Sequence, residues 1–64
     1  MALSENIQRI AKEQGISVYR IAKDGDVSQS YMSDIANGKC KNPSLTVLTK
    51  ISKVLNCKIE ELIN

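Results

Sequence analysis

Apolar residues recur along this chain at helical spacing, never in strict alternation. Leu3, Ile7, Ile10 and Ala11 lie three and four apart, which puts them on one face of a helix. Ser4 is placed to cap its start, and Gly15 suits its end, where the left-handed backbone is cheapest for glycine. This predicts a first helix over 4–14. Ser17 opens a second, over 17–24, with Val18, Ile21 and Ala22 inward and Arg20 and Lys23 outward; Asp24-Gly25-Asp26 stops it. Ser28 caps a third over 28–36, with Met32 and Ile35 inward, and Asn37-Gly38 closes it. Lys39 to Pro43 is a loop, because the residue before proline avoids helix.

Ser44 caps the most strongly patterned helix. Leu45, Leu48, Ile51, Val54 and Leu55 form its expected inner face, with Val47 on the flank and Thr46, Lys50 and Lys53 in water. Asn56 ends it. A last short helix holds Ile59, Leu62 and Ile63, with Glu60 and Glu61 early, where carboxylates suit the helix dipole. The expectation is an all-α domain of five short helices.

Composition narrows the function. Sixty-four residues make one small domain, expected to span 1–64 without a fused ligand sensor. No histidine is present, so triads, imidazole bases and histidine metal sites are excluded, and an enzyme is not expected. No metal and no cofactor are expected either. Two cysteines without histidine cannot fill a four-ligand zinc site in one chain. Cys57 reads as a small core residue and Cys40 as a candidate exposed thiol. Both are expected free, in a reducing cytoplasm. No apolar run reaches the roughly 20 residues of a membrane span, and no basic-then-apolar leader opens the chain.

Net charge is only +2, so its placement matters more than its size. The first sixteen residues balance Arg9 and Lys12 against Glu5 and Glu13, whereas the loop after the third helix carries Lys39 and Lys41 without an acid. An uncompensated basic loop can sit on a phosphate backbone or can simply be solvated. The second and third helices meet through a tight turn. The outward face of the third carries Gln29, Ser30, Ser33 and Asp34, short groups able to enter a major groove. Many helical domains contain such a corner.

The chain as a whole resembles the Cro/CI-type helix-turn-helix proteins, the phage repressor-like, xenobiotic-response-element family. The matching residues are Ile16-Ser17, Ile21-Ala22, the run Val27-Ser28-Gln29-Ser30-Tyr31-Met32-Ser33, Ile35, Asn37-Gly38-Lys39, Asn42-Pro43-Ser44-Leu45, Leu48, Ile51-Ser52, Leu55-Asn56 and Ile59-Glu60-Glu61-Leu62. The resemblance implies a compact five-helix, lambda-repressor-like DNA-binding domain. Its second helix would cross the DNA backbone and its third would lie in the major groove.

Double-stranded DNA is then the expected partner. Gln29 is the leading base-reading residue, since a primary amide pairs with adenine N6 and N7. Ser30 and Ser33 share its face and could meet bases or be plain exposed residues. Asp34 could accept from cytosine N4 or pair with a cation inside the domain, the second being favoured. Ser17, Ser28, Tyr31, Asn37, Lys39 and Lys41 are the phosphate-binding candidates. Ser17 and Ser28 also cap helices, Asn37 also ends one, and Tyr31 could instead pack against the second helix. Ile59, Leu62 and Ile63 are either core closure or a homodimer interface, the family often dimerising there.

Four positions depart from the family pattern. Asp26 stands where glycine is usual at the sharp turn. Gly25 replaces a large aliphatic, which should remove a core contact and fray the second helix. Val18 replaces a phosphate-facing glutamine, and Lys58 a serine or threonine cap. The expected function is a sequence-specific transcriptional regulator, most simply a repressor dimer on a pseudo-palindromic operator. The alternative is an antitoxin or other protein-interaction module of the same fold.

Overall fold

A computed structural model describes residues 2–63. Five helices follow in order: α1 Leu3–Gln14, α2 Val18–Asp24, α3 Gln29–Ala36, α4 Leu45–Val54 and α5 Ile59–Ile63. None is long and apolar enough to cross a membrane. Packing runs from α1 to α3, α3 to α2, α2 to α4, α4 to α5 and back from α5 to α1. The helices therefore close a ring around one core of Ile7, Ile10, Ala11, Ile21, Ala22, Met32, Ile35, Ile51, Leu55 and Leu62. A ring lets helices of five to twelve residues, too short to persist alone, stabilise one another through burial.

The helix ends repeat one device. Ser17, Ser28 and Ser44 each accept, through Oγ, the N–H three residues on, at 3.1, 3.1 and 3.3 Å. At the other ends, Gly15, Asp26, Gly38 and Asn56 all take positive φ, at 68, 56, 82 and 53°. After each, a backbone N–H returns to the carbonyl five residues earlier: Ile16 to Ala11, Val27 to Ala22, Lys39 to Asp34 and Cys57 to Ser52, at 2.8–3.0 Å. These are Schellman closures of α1 to α4. Ile16, Val27 and Cys57, just beyond the turns, pack against the core.

Three expectations change. Ser4 does not cap α1. The helix begins at Leu3, which brings that side chain onto the core, and Ala2 is the N-cap; the Glu5 carboxylate accepts the Ala2 N–H at 3.4 Å. Leu45 is not inward but 70% exposed, and Leu48 is only half-buried. Ile51 in its later part and Leu55 at its C-cap are fully buried. Nor is α2 frayed at Gly25. The Gly25 N–H donates to the Ile21 carbonyl at 2.9 Å, and a Cβ at this position would lie 3.5 Å from Val54 Cγ2. Helix α4 occupies the space that a larger side chain would need.

Candidate nucleic-acid interface

The corner between α2 and α3 is built from Gly25, Asp26 and Val27. Asp26 takes the left-handed conformation, which costs a non-glycine residue about 1–2 kcal/mol. Its N–H reaches the Lys23 carbonyl at 3.4 Å, a long bond. Val27 then turns inward to the core, and Ser28 starts α3.

Met32, Ile35 and Ala36 bury one side of α3. Gln29, Ser30 and Ser33 on the other side are exposed, and Asp34 is half-buried at its edge. Asp34 pairs with no cation among the described residues, contrary to the favoured expectation. Its backbone carbonyl instead accepts the N–H groups of Lys39 and Cys40, at 2.8 and 3.1 Å. The chain thus doubles back beside α3, and Lys39 and Lys41 stand exposed in the loop that follows.

Each polar group near this face retains hydrogen-bonding capacity. The Ser17 and Ser28 hydroxyls accept from backbone N–H groups, which leaves each with a proton to donate. Asn37 donates from Nδ2 to Ser33 Oγ at 3.1 Å; the second amide proton and Oδ1 are still unused in that pair. Tyr31 is half-buried and packs partly against the core. Val18 also packs inward and offers no polar contact. The surface is therefore a ridge of short neutral donors and acceptors, flanked by the N-termini of α2 and α3 and by two lysines. Helix N-termini favour anions through free N–H groups and the helix dipole.

Sequence reasoning missed three features close by. Arg20 Nε donates to Asp24 Oδ2 at 2.8 Å, an i,i+4 pair that spacing could have shown and that offsets an acid on α2. Tyr19 is 57% exposed on α2, an aromatic on the wet side. Gln8 on α1 donates to the Ala36 carbonyl at the end of α3. No local pattern marks that contact, because its partners lie 28 residues apart.

The proposed interface stripe splits. Leu62 is fully buried and its carbonyl accepts from Asn6 Nδ2 at 2.8 Å, so it belongs to the core and cannot meet a second copy. Ile59 is half-buried, and Ile63 is 51% exposed. Ile63 lines an apolar groove with Leu3, Pro43 and Leu48. Lys58, in place of a hydroxyl cap, receives help from Glu61, whose carboxylate accepts the Lys58 N–H at 2.8 Å. Both cysteines are free and half-buried; Cys40 packs against the core instead of standing exposed. Burial, and then the Glu61 carboxylate, push the Cys57 thiol above its ordinary pKa, which favours the protonated form.

A family model described as the Cro/C1-type HTH DNA-binding domain matches residues 6–64. The HTH-type transcriptional regulator SinR of Bacillus licheniformis is 34% identical over 97% of this chain, which covers 56% of that protein. SlrR of Bacillus subtilis is 38% identical over 88% of this chain and 37% of its own length. The chain spans about half the length, or less, of these curated relatives. Among solved structures, the N-terminal DNA-binding domain of SinR from Bacillus subtilis superposes with a TM-score of 0.90 at 32% identity, over 97% of this chain and 90% of that one. A crystal structure of SinR in complex with DNA gives 0.91 at 32% identity, over 97% of this chain and 98% of the other. With its five helices, its polar α3 ridge and a match running from Asn6 to the last residue, the chain belongs to the Cro/C1-type helix-turn-helix DNA-binding domain family.

Proposed function

We propose that this chain binds duplex DNA sequence-specifically and regulates transcription in the cytoplasm, most simply as a non-enzymatic repressor. The observation that carries the reading is the outward face of α3, where Gln29, Ser30 and Ser33 stand exposed, followed by the exposed Lys39 and Lys41. A solvated helix face is usually furnished with long charged side chains, as α4 is with Lys53, while Lys50, expected in water, is half-buried. Short amides and hydroxyls are what a major groove can admit. Support comes from the similar fold of SinR, which has been crystallised with DNA.

In this reading α3 lies in the major groove. Gln29 pairs with adenine, and Ser30, Ser33 and Asp34 meet neighbouring base edges. Ser17, Ser28, Tyr31, Asn37, Lys39 and Lys41 hold phosphates on either side. Asp34, free of a cation, is available to accept from cytosine N4. A single α3 reads few base pairs, so selectivity calls for two copies on a pseudo-palindrome, their recognition helices about 34 Å apart. The groove at Ile63, with Ile59 beside it, is the surface proposed for that homodimer.

The test is selection from a pool of genomic DNA fragments at two salt concentrations, with sequencing of the bound fraction. An enriched inverted repeat, bound tightly and salt-dependently, is expected. Weak, sequence-blind binding that vanishes at physiological salt would overturn the reading. The second reading, a protein-interaction module such as an antitoxin, draws on the similarity to a chain of a SinR–SinI protein complex, 60% of which the match covers. Reversing the charges of Lys39 and Lys41 separates the two: loss of DNA affinity supports the first, and unchanged affinity the second.

A further inference from the structure

Helix α1 carries three side-chain amides, and each donates to a backbone carbonyl at the C-terminal end of a different helix. Asn6 Nδ2 reaches the Leu62 carbonyl of α5 at 2.8 Å, Gln8 Nε2 the Ala36 carbonyl of α3, and Gln14 Nε2 the Leu55 carbonyl that ends α4. The pattern has a physical reason. A helix leaves its last four carbonyls without intrahelical partners. The Schellman closures of α3 and α4 take two of these each: Asp34 and Ile35 in the first, Ser52 and Lys53 in the second. Ala36 follows directly on the first pair, and Leu55, the C-cap of α4, lies two residues past Lys53; both residues are buried. The α1 glutamines fill that gap.

Of the three contacts, the one made by Gln8 touches the DNA-reading element. Ala36 sits between the last base-facing residues, Ser33 and Asp34, and the phosphate candidates Asn37 and Lys39. One turn earlier on α1, Ser4 faces the same place: a Cβ at Gly38 would lie 3.5 Å from Ser4 Oγ. Ser4 and Gln8, four residues apart, thus form one stripe against the Ala36–Gly38 end of α3. The other end of α3 is fixed by the Ser28 cap. Helix α3 itself is only eight residues long, so a small rotation at Ala36 would carry Asn37 and Lys39 away from phosphates while Gln29 stayed in the groove.

We propose that Gln8 is a positioning residue for DNA recognition: by holding the Ala36 carbonyl it sets the register between the base-reading face of α3 and the phosphate contacts of Asn37 and Lys39. The inference rests on the DNA-binding reading above. Gln8 itself is exposed and need not touch DNA.

The test compares Gln8→Ala, Gln8→Lys and Gln14→Ala in the full chain, against the selected site and a scrambled duplex at several salt concentrations. Folded fraction is followed by circular dichroism. Gln14→Ala removes the same kind of bond from α4, away from the proposed interface, and reports what lost stability alone does. Gln8→Ala is expected to weaken site binding about five- to tenfold, in line with one carbonyl left without its partner. It should also flatten the salt dependence and speed amide exchange at Asn37 to Cys40. Gln14→Ala should leave all three unchanged below its melting temperature, and Gln8→Lys, which restores an N–H donor, should recover much of the loss. Equal behaviour of Gln8→Ala and Gln14→Ala at matched folded fraction would overturn the positioning role alone. Failure of the unmodified chain to bind any duplex would overturn the DNA reading, and this inference with it.

Discussion

Helices α3 and α5 are both short, and both have a sequence that invites a partner, but the structure treats them differently. In α3 the polar face stays outside and the apolar face, with Met32 and Ile35, enters the core. In α5 the apolar stripe divides: Leu62 is swallowed by the core, while its neighbour Ile63 is 51% exposed. The difference is one of competition. No buried site in the domain is better for Gln29 or Ser30 than water or a DNA groove. An exposed leucine, by contrast, competes for any gap in the core, and full burial of one is worth about 1.5–3 kcal/mol. An outward polar ridge thus survives folding as a recognition surface. An apolar stripe survives only where its neighbours cannot reach it.

The sharpest way to break this comparison is to truncate the two α5 neighbours. Leu62→Ala should cost about 2–5 kcal/mol, enough to unfold much of so small a domain, whereas Ile63→Ser should stay within about 0.5 kcal/mol in chemical denaturation. If Ile63 serves the proposed homodimer, Ile63→Ser should also shift sedimentation toward monomer. Similar stability losses for both would contradict the division of the stripe.

On the α3 side, Gln29→Ala should lose about 1–3 kcal/mol of discrimination for the selected site over its point variants, with melting temperature unchanged. Competition titrations read this directly. Lys39→Ala should weaken binding to every duplex alike and lower the slope of log affinity against log salt by about 0.9. A change in sequence preference at constant slope would remove Lys39 from the phosphate group. The smallest effect is expected at the corner itself. Asp26→Gly relieves a positive φ and should stabilise the fold by about 1 kcal/mol or less, the relief being offset by the greater freedom of an unfolded glycine. Thermal melts would check the sign.

Much of the fold was legible locally. The Ser17 and Ser28 caps, the Asp24-Gly25-Asp26 and Asn37-Gly38 stops and the apolar spacing placed α2 and α3 within a residue of their observed bounds, since these signals act over one turn. The turn at Asp26 was also readable, because a family position that takes positive φ constrains whatever residue stands there. What failed was contextual. Ser4 looks as good a cap as Ser17, and only the burial of Leu3 moves the start of α1 back. Leu45 has the right phase to be inward, but phase does not say how far the neighbouring helices extend. Leu62 and Ile63 are adjacent and chemically alike, and which one is covered depends on where α1 lies. The candidate site was legible in the same uneven way. Exposure of Gln29, Ser30 and Ser33 follows from periodicity and that of Lys39 and Lys41 from their place in a loop, whereas the lack of a cation for Asp34 and the α1 amide contacts depend on tertiary placement.

The most direct measurement is a titration of the isotope-labelled chain with the selected duplex, followed by amide shift mapping. The account predicts the largest changes in two segments, Ser28 to Asp34 and Asn37 to Lys41, with weaker effects at the start of α2 and little change around Leu62. Perturbation centred on Leu48 and Ile63, with α3 silent, would contradict it and would make the apolar groove the primary binding surface of the molecule.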